Sequence, residues 1–144
     1  MAYLTERSDE IPRWVAKEDR AQYGALQTKS RLLALRVMAL VDGFPLSPSG
    51  KAISNQLVRA ATSVAANYRA ARRGRSKAEW MAKLGIVEEE ADEVIFFLGL
   101  ARDHGLAKDK ECQELGRLAD EVLSMTVSSI KTSRANKTDK RPIS

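Results

Sequence analysis

Arg69, Arg72, Arg73, Arg75 and Lys77 fall within nine residues of this 144-residue chain. Arginine is suited to phosphate because its planar fork donates two parallel hydrogen bonds. Arg59 lies ten residues upstream, and no acidic residue occurs between Gly43 and Ala78. From Glu79 to Glu93 the sign reverses, with Glu79, Glu88, Glu89, Glu90, Asp92 and Glu93 against the single Lys83. Two readings of the basic run stand side by side. It can hold the phosphate backbone of RNA or DNA, or it can be a solvated turn that forms salt bridges to the acidic run. The net charge of +5 permits a polyanionic partner without requiring one.

Other chemistry is poorly supplied. A di-metal carboxylate site in a helical bundle needs a glutamate three residues before a histidine on two helices. The only histidine is His104, and Ala101 stands three residues before it. The single cysteine, Cys112, has Lys108 and Lys110 nearby but no histidine in its own helix, and it reads as a small core or boundary residue. One cysteine allows neither an intrachain disulfide nor a cysteine zinc cluster. No glycine-rich phosphate loop follows a strand. No catalytic residue, metal or cofactor is therefore expected. Glu90 and Glu93 share a stripe with Ile86, Phe97 and Leu100, so they are either a solvated acidic face or a partly buried pair bound to arginine.

The elements that carry these residues are helical. Leu33, Val37, Leu40 and Phe44 recur at steps of four and three, predicting helix 1 from about Leu26 to Gly43, with Gly43 turning the chain at positive φ. Leu32, Leu35, Met38 and Val41 lie off that stripe and are apolar too, which in a small domain implies a second subunit. Pro45, Pro48 and Gly50 interrupt the helix, and Ser47 or Ser49 can cap the next one. Helix 2 spans about Ser49 to Ala71. Ala60, Ala61, Ala65, Ala66, Ala70 and Ala71 keep it thin, and Asn67 interrupts its apolar stripe. Asn67 is expected to fix register through an interhelical hydrogen bond.

Ser76 and Glu79 form a capping box that opens helix 3. Trp80, Leu84, Val87, Ala91, Val94, Leu98 and Ala101 then keep a four-three rhythm up to His104-Gly105. Helix 4 starts near Asp109 and carries Leu115, Leu118, Val122, Met125 and Ile130. The whole is an all-α, antiparallel, up-down-up-down four-helix bundle over residues 26–133. An N-terminal arm is expected over 1–25 and a basic disordered tail over 134–144. The N-terminus lacks a secretory pattern and no apolar run approaches the ~20 residues of a membrane span, so a cytoplasmic protein with no membrane partner is expected.

Residues Ser63 to Leu98, SVAANYRAARRGRSKAEWMAKLGIVEEEADEVIFFL, preceded by Gln56-Leu57-Val58-Arg59-Ala60-Ala61, resemble a bacterial four-helix-bundle family. Its founding members are encoded by intervening sequences inside large-subunit ribosomal RNA genes. Its relatives include the accessory variability protein of diversity-generating retroelements. The resemblance covers about Leu33 to Ser129. Trp80 stands where phenylalanine is usual, and Asn67-Tyr68-Arg69-Ala70-Ala71 replaces the Asn-Ile-Ala-Glu-Gly of many relatives, which places the chain near a more basic branch. The resemblance implies a protomer assembled as a ring of five, a homopentamer, with no established enzymatic activity. It also implies RNA or DNA and a reverse transcriptase or other protein as partners. The expected function is a non-enzymatic, homo-oligomeric bundle acting on nucleic acid or as an adaptor. The alternative is a structural assembly module whose partner is protein.

Overall fold

The computed structural model describes residues 11–135 apart from 13 and 16. After a 3-10 turn at Lys17–Asp19, four helices follow: α1 Arg20–Val41, α2 Pro48–Arg72, α3 Lys77–Asp103 and α4 Asp109–Ala135. No strand occurs among the described residues. α2 packs most extensively on α3, then α3 on α4, α1 on α2 and α1 on α4. That order closes an antiparallel square in which sequence neighbours are spatial neighbours, as short connections dictate.

The interior follows the apolar rhythm closely. The seven stripe positions of α3 are its buried residues, from Trp80 to Ala101. Leu57, Ala60, Ala61, Val64, Tyr68 and Ala71 of α2 face them. Ala60, Ala61 and Ala91 are fully buried, and their small side chains let α2 and α3 approach closely.

Local signals set the ends. Ser47 caps α2 by accepting from the Gly50 amide at 3.1 Å, with Pro48 in the first turn. Ser76 accepts from the Glu79 amide at 3.1 Å. The Glu79 carboxylate reaches one residue further back than a capping box requires and accepts from the Arg75 amide at 2.7 Å. α3 ends in a Schellman motif: Gly105, at φ 76°, donates to the Arg102 carbonyl, and Leu106 donates to the Ala101 carbonyl at 2.8 Å. Among the described residues Gly105 is the position with positive φ. Gly43 does not take the left-handed conformation expected of it. Instead the amides of Gly43 and Phe44 bond back three residues, to Leu40 and Val41.

α1 begins at Arg20, several residues ahead of Leu26. Val15 is 2% exposed and Asp19 is 3% exposed, so the last part of the expected arm is packed into the bundle. Asp19 accepts from Gln22 Nε2 at 2.9 Å and from Thr132 Oγ1 of α4. Residues 1–10 of that arm lie outside the described residues. So do 136–144 of the expected tail, whose first two residues, Arg134 and Ala135, belong to α4.

Gly50 is the tightest point of the backbone. A Cβ there would stand 2.0 Å from the Pro45 carbonyl oxygen, so the turn must open to admit any side chain. Gly50→Ala is expected to lower stability by about 1–3 kcal/mol despite alanine's better helix propensity. Denaturant unfolding measures this. A neutral or stabilising change would show that the Phe44–Ser47 turn is pliable.

Candidate nucleic-acid interface

The antiparallel order puts the N-terminus of α1, the C-terminus of α2, the N-terminus of α3 and the C-terminus of α4 at one end of the bundle. Side chains tie this end together. The rings of Tyr23, Tyr68 and Trp80 meet with centroids 6.0–6.2 Å apart. Tyr68 donates its hydroxyl proton to the Tyr23 carbonyl at 2.8 Å, and Trp80 Nε1 donates to Ser133 Oγ at 3.0 Å. These bonds join α2 to α1 and α3 to α4, and the Asp19–Thr132 bond joins the start of α1 to α4. The buried aromatic plug therefore seals the core directly beneath the α2–α3 turn.

On that plug sits the basic turn. Arg69, Arg73 and Arg75 are exposed, and they form no ion pair among the described residues. The Arg72 guanidinium lies 4.8 Å from the centre of the Tyr23 ring in a cation–π contact, so this arginine also holds the plug closed. Lys77 is half-buried at the first position of α3.

Arg59 does not belong to this group. It stands midway along α2, donating to Glu90 Oε2 at 3.0 Å and to Glu93 Oε2 at 2.6 Å on α3. Its expected place in the phosphate-binding set is thus corrected: its charge is already matched, and it lies about 15 Å along the helix from Arg69. Of the two readings of Glu90 and Glu93, the arginine-bound pair is the one observed. The Arg59 guanidinium holds the Glu93 carboxyl below the usual carboxylate range, while burial pushes Glu90 above it. The signs oppose. Glu93 contributes stability that is present above its unfolded pKa and lost as pH falls through its lowered one. The Glu90 contribution is present below its unfolded pKa and lost as pH rises through its raised one. The two carboxylates of this bridge therefore respond to acid in opposite directions.

Asn67 also differs from expectation. It is half-buried, and its Nδ2 donates within its own helix to the carbonyl and hydroxyl oxygens of Ser63, both at 2.9 Å. Leu32 and Leu35 are 43% and 50% exposed, and Met38 is half-buried between them and the core. Val41, expected on the same outward face, is 8% exposed and packs inside the protomer, because it stands four residues after the buried Val37 and so on the same helical face. Phe96 and Leu100 on α3 form a second exposed apolar patch, which the helical rhythm alone did not single out.

Elsewhere the chemistry is spare. Cys112 is buried, and desolvation pushes its thiol up, disfavouring the reactive thiolate. His104 is exposed and its Nε2 lies 3.2 Å from Ser49 Oγ, linking the end of α3 to the start of α2. Among the described residues no group of three or more His, Cys, Asp or Glu could hold a metal ion. No described helix is long and apolar enough to cross a membrane. A shallow groove lies at the opposite end of the bundle, lined by Phe44, Leu46, Asn55 and Val58 among others.

With the bundle and its basic end in place, residues 25–128 match the family model described as the 23S rRNA-intervening sequence protein. The chain belongs to this family. A solved structure of a protein of unknown function from the S23 ribosomal protein family of Bacteroides thetaiotaomicron is similar to it, with a TM-score of 0.70 and 27% identity. That alignment covers 76% of this chain and 98% of the other. No curated protein matches the sequence. The span matched by the 23S rRNA-intervening sequence protein model contains the whole α2–α3 turn but ends before the last turns of α4 and starts after the first residues of α1.

Proposed function

We propose that this member of the family is a non-enzymatic, homo-oligomeric bundle that binds nucleic acid through its basic end. The observation that carries this reading is the separation of charge along the bundle. The Arg69, Arg73 and Arg75 side chains are exposed at one end and form no ion pair among the described residues, while Glu79, the carboxylate at this turn, bonds the Arg75 backbone amide. The acidic run from Glu88 to Glu93 begins about 16 Å along α3 from Lys77, and its Glu90 and Glu93 bind Arg59 instead. A solvated turn neutralised by the acidic run, the competing explanation, would place those carboxylates beside the turn.

Backbone contacts by arginine neutralise phosphate without reading sequence, and each releases counterions, so affinity falls steeply with salt. Arg69, Arg73 and Arg75 replaced together by Ala should weaken binding to unrelated RNA and DNA sequences by similar factors. The salt slope should flatten by about 0.9 for each phosphate contact removed. Arg72 is left in place because its loss would also open the aromatic plug. Arg59→Ala is the matched control: it removes one cation from the same helix and should leave binding unchanged. Wild-type protein with no salt-sensitive binding at low ionic strength would end this reading. The alternative, an assembly module with a protein partner, draws on the exposed Leu32, Leu35, Phe96 and Leu100 and would then take its place.

A further inference from the structure

We infer that the ligand of the basic end is double-stranded nucleic acid, gripped across the whole end of the bundle by two banks of cations. The inference rests on the nucleic-acid reading above and adds to it a second bank: Lys17, Arg20, Lys131 and Arg134. All four are exposed. They are separated by more than a hundred positions in sequence, and the fold brings them to one place. The Asp19–Thr132 hydrogen bond sits between Lys17 and Arg20 on one side and Lys131 and Arg134 on the other. Trp80–Ser133 fixes the end of α4 against the start of α3. Because the helices close a square in sequence order, the α2–α3 turn lies over one side of the end and this second bank over the other.

Two features select a duplex, and a third favours any polyanion at this end. Packed helices stand 8–10 Å apart, so long side chains on opposite sides of the square are spaced to reach phosphates on the two walls of a groove about 6–12 Å wide. Proteins that hold single strands offer exposed aromatic faces on which bases stack. Here Tyr23, Tyr68 and Trp80 are sunk into the core at 4%, 1% and 1% exposure, two of them locked by hydrogen bonds, and Trp14, ahead of α1, is half-buried against the same core. Finally, the carboxylates whose side chains are described at this end are engaged: Asp19 with Gln22 and Thr132, and Glu79 with the Arg75 amide. The second bank lies outside residues 25–128, so it is a feature of this chain beyond the span matched by the family model.

The test is fluorescence anisotropy of the full chain with a 20-base-pair duplex and with a single strand of the same length, across a salt series. The wild type should bind the duplex at least about tenfold more tightly than the single strand. Lys17, Arg20, Lys131 and Arg134 replaced together by Ala should flatten the duplex salt slope by about two to four, at about 0.9 per phosphate contact. The melting temperature should stay near that of the wild type, because the four side chains are exposed. If that variant fails to fold, the Lys131→Ala, Arg134→Ala pair should still flatten the slope by between about one and two. Single-strand binding equal to or tighter than duplex binding overturns the inference while leaving the proposed function standing. An unchanged slope in the folded variants does the same. An absence of salt-sensitive binding to either probe removes the proposed function and the inference together.

Discussion

Trp80→Ala is expected to lose about 3–5 kcal/mol of stability, a large share of what a domain of this size possesses. Trp80 is 1% exposed at the start of α3, stacked against Tyr23 and tilted against Tyr68. Truncation would leave a cavity under the basic turn, remove the aromatic contacts and orphan Ser133 Oγ, its hydrogen-bond partner. Trp80→Phe restores the residue usual in the relatives that the sequence resembles. It keeps most of the apolar area but leaves the buried Ser133 hydroxyl without its donor, at about 1–3 kcal/mol. Adding Ser133→Ala to Trp80→Phe should recover part of that loss, because replacing both partners removes the unsatisfied group. Chemical denaturation of the wild type, Trp80→Phe, Ser133→Ala and the double variant checks the cycle. Strict additivity would show that the indole–hydroxyl bond contributes nothing.

The Trp80–Ser133 pair also shows where sequence reading reaches and where it stops. The rhythm from Trp80 to Ala101 identifies the buried face of α3 residue by residue, because each position is apolar and the helical period is unbroken. On α4 the buried face includes Thr126, Ser129 and Ser133, with the Thr126 hydroxyl donating to the Val122 carbonyl and the Ser133 hydroxyl accepting from Trp80, so an apolar pattern passes over them. The start of α1 is obscured for the same reason: Gln27 and Ser30 are buried, and Asp19 anchors to a residue far along the chain. Ser76 and Glu79 are legible because capping is local, whereas the Gly43 turn closes by successive three-residue bonds that need no positive φ.

The candidate site divides along the same line. Arg69 to Lys77 are contiguous, so their charge is plain from the sequence. Arg59 looks equivalent to them there and is separated only by its two carboxylate partners on α3. The cations that complete the basic end come from opposite ends of the chain, and only the closure of the bundle makes them neighbours. Leu32 and Leu35 fall on the outer face as their spacing requires. Val41, about two turns further along the same helix, faces inward to the core beside Phe44.

Replacing Leu32 and Leu35 together by Glu is expected to dissociate the proposed assembly into protomers. Both side chains stand outward on α1, 43% and 50% exposed, with Ala39 exposed and Met38 half-buried beside them. Covering a large aliphatic side chain with another subunit is worth up to about 1.5–3 kcal/mol, and a contiguous apolar patch left wet is unusual for a monomer. Losing two such contacts and burying two carboxylates instead should weaken each interface by about 3–6 kcal/mol, or roughly a hundredfold to ten-thousandfold. The fold should survive, since neither leucine belongs to the buried core, and circular dichroism should remain helical. Light scattering on a size-exclusion peak reads the outcome. Five copies of 15.9 kDa give 79.5 kDa, the mass expected for the wild type in moderate salt because the contact is mainly apolar, against 15.9 kDa for the variant. A monomeric wild type would remove the case for an α1 interface. A dimer or tetramer that the double substitution still dissociates would keep the face and discard only the number five, which comes from the family resemblance rather than from the exposed leucines. An assembly that persists after the substitution would move the contact to the other apolar patch, Phe96 and Leu100 on α3.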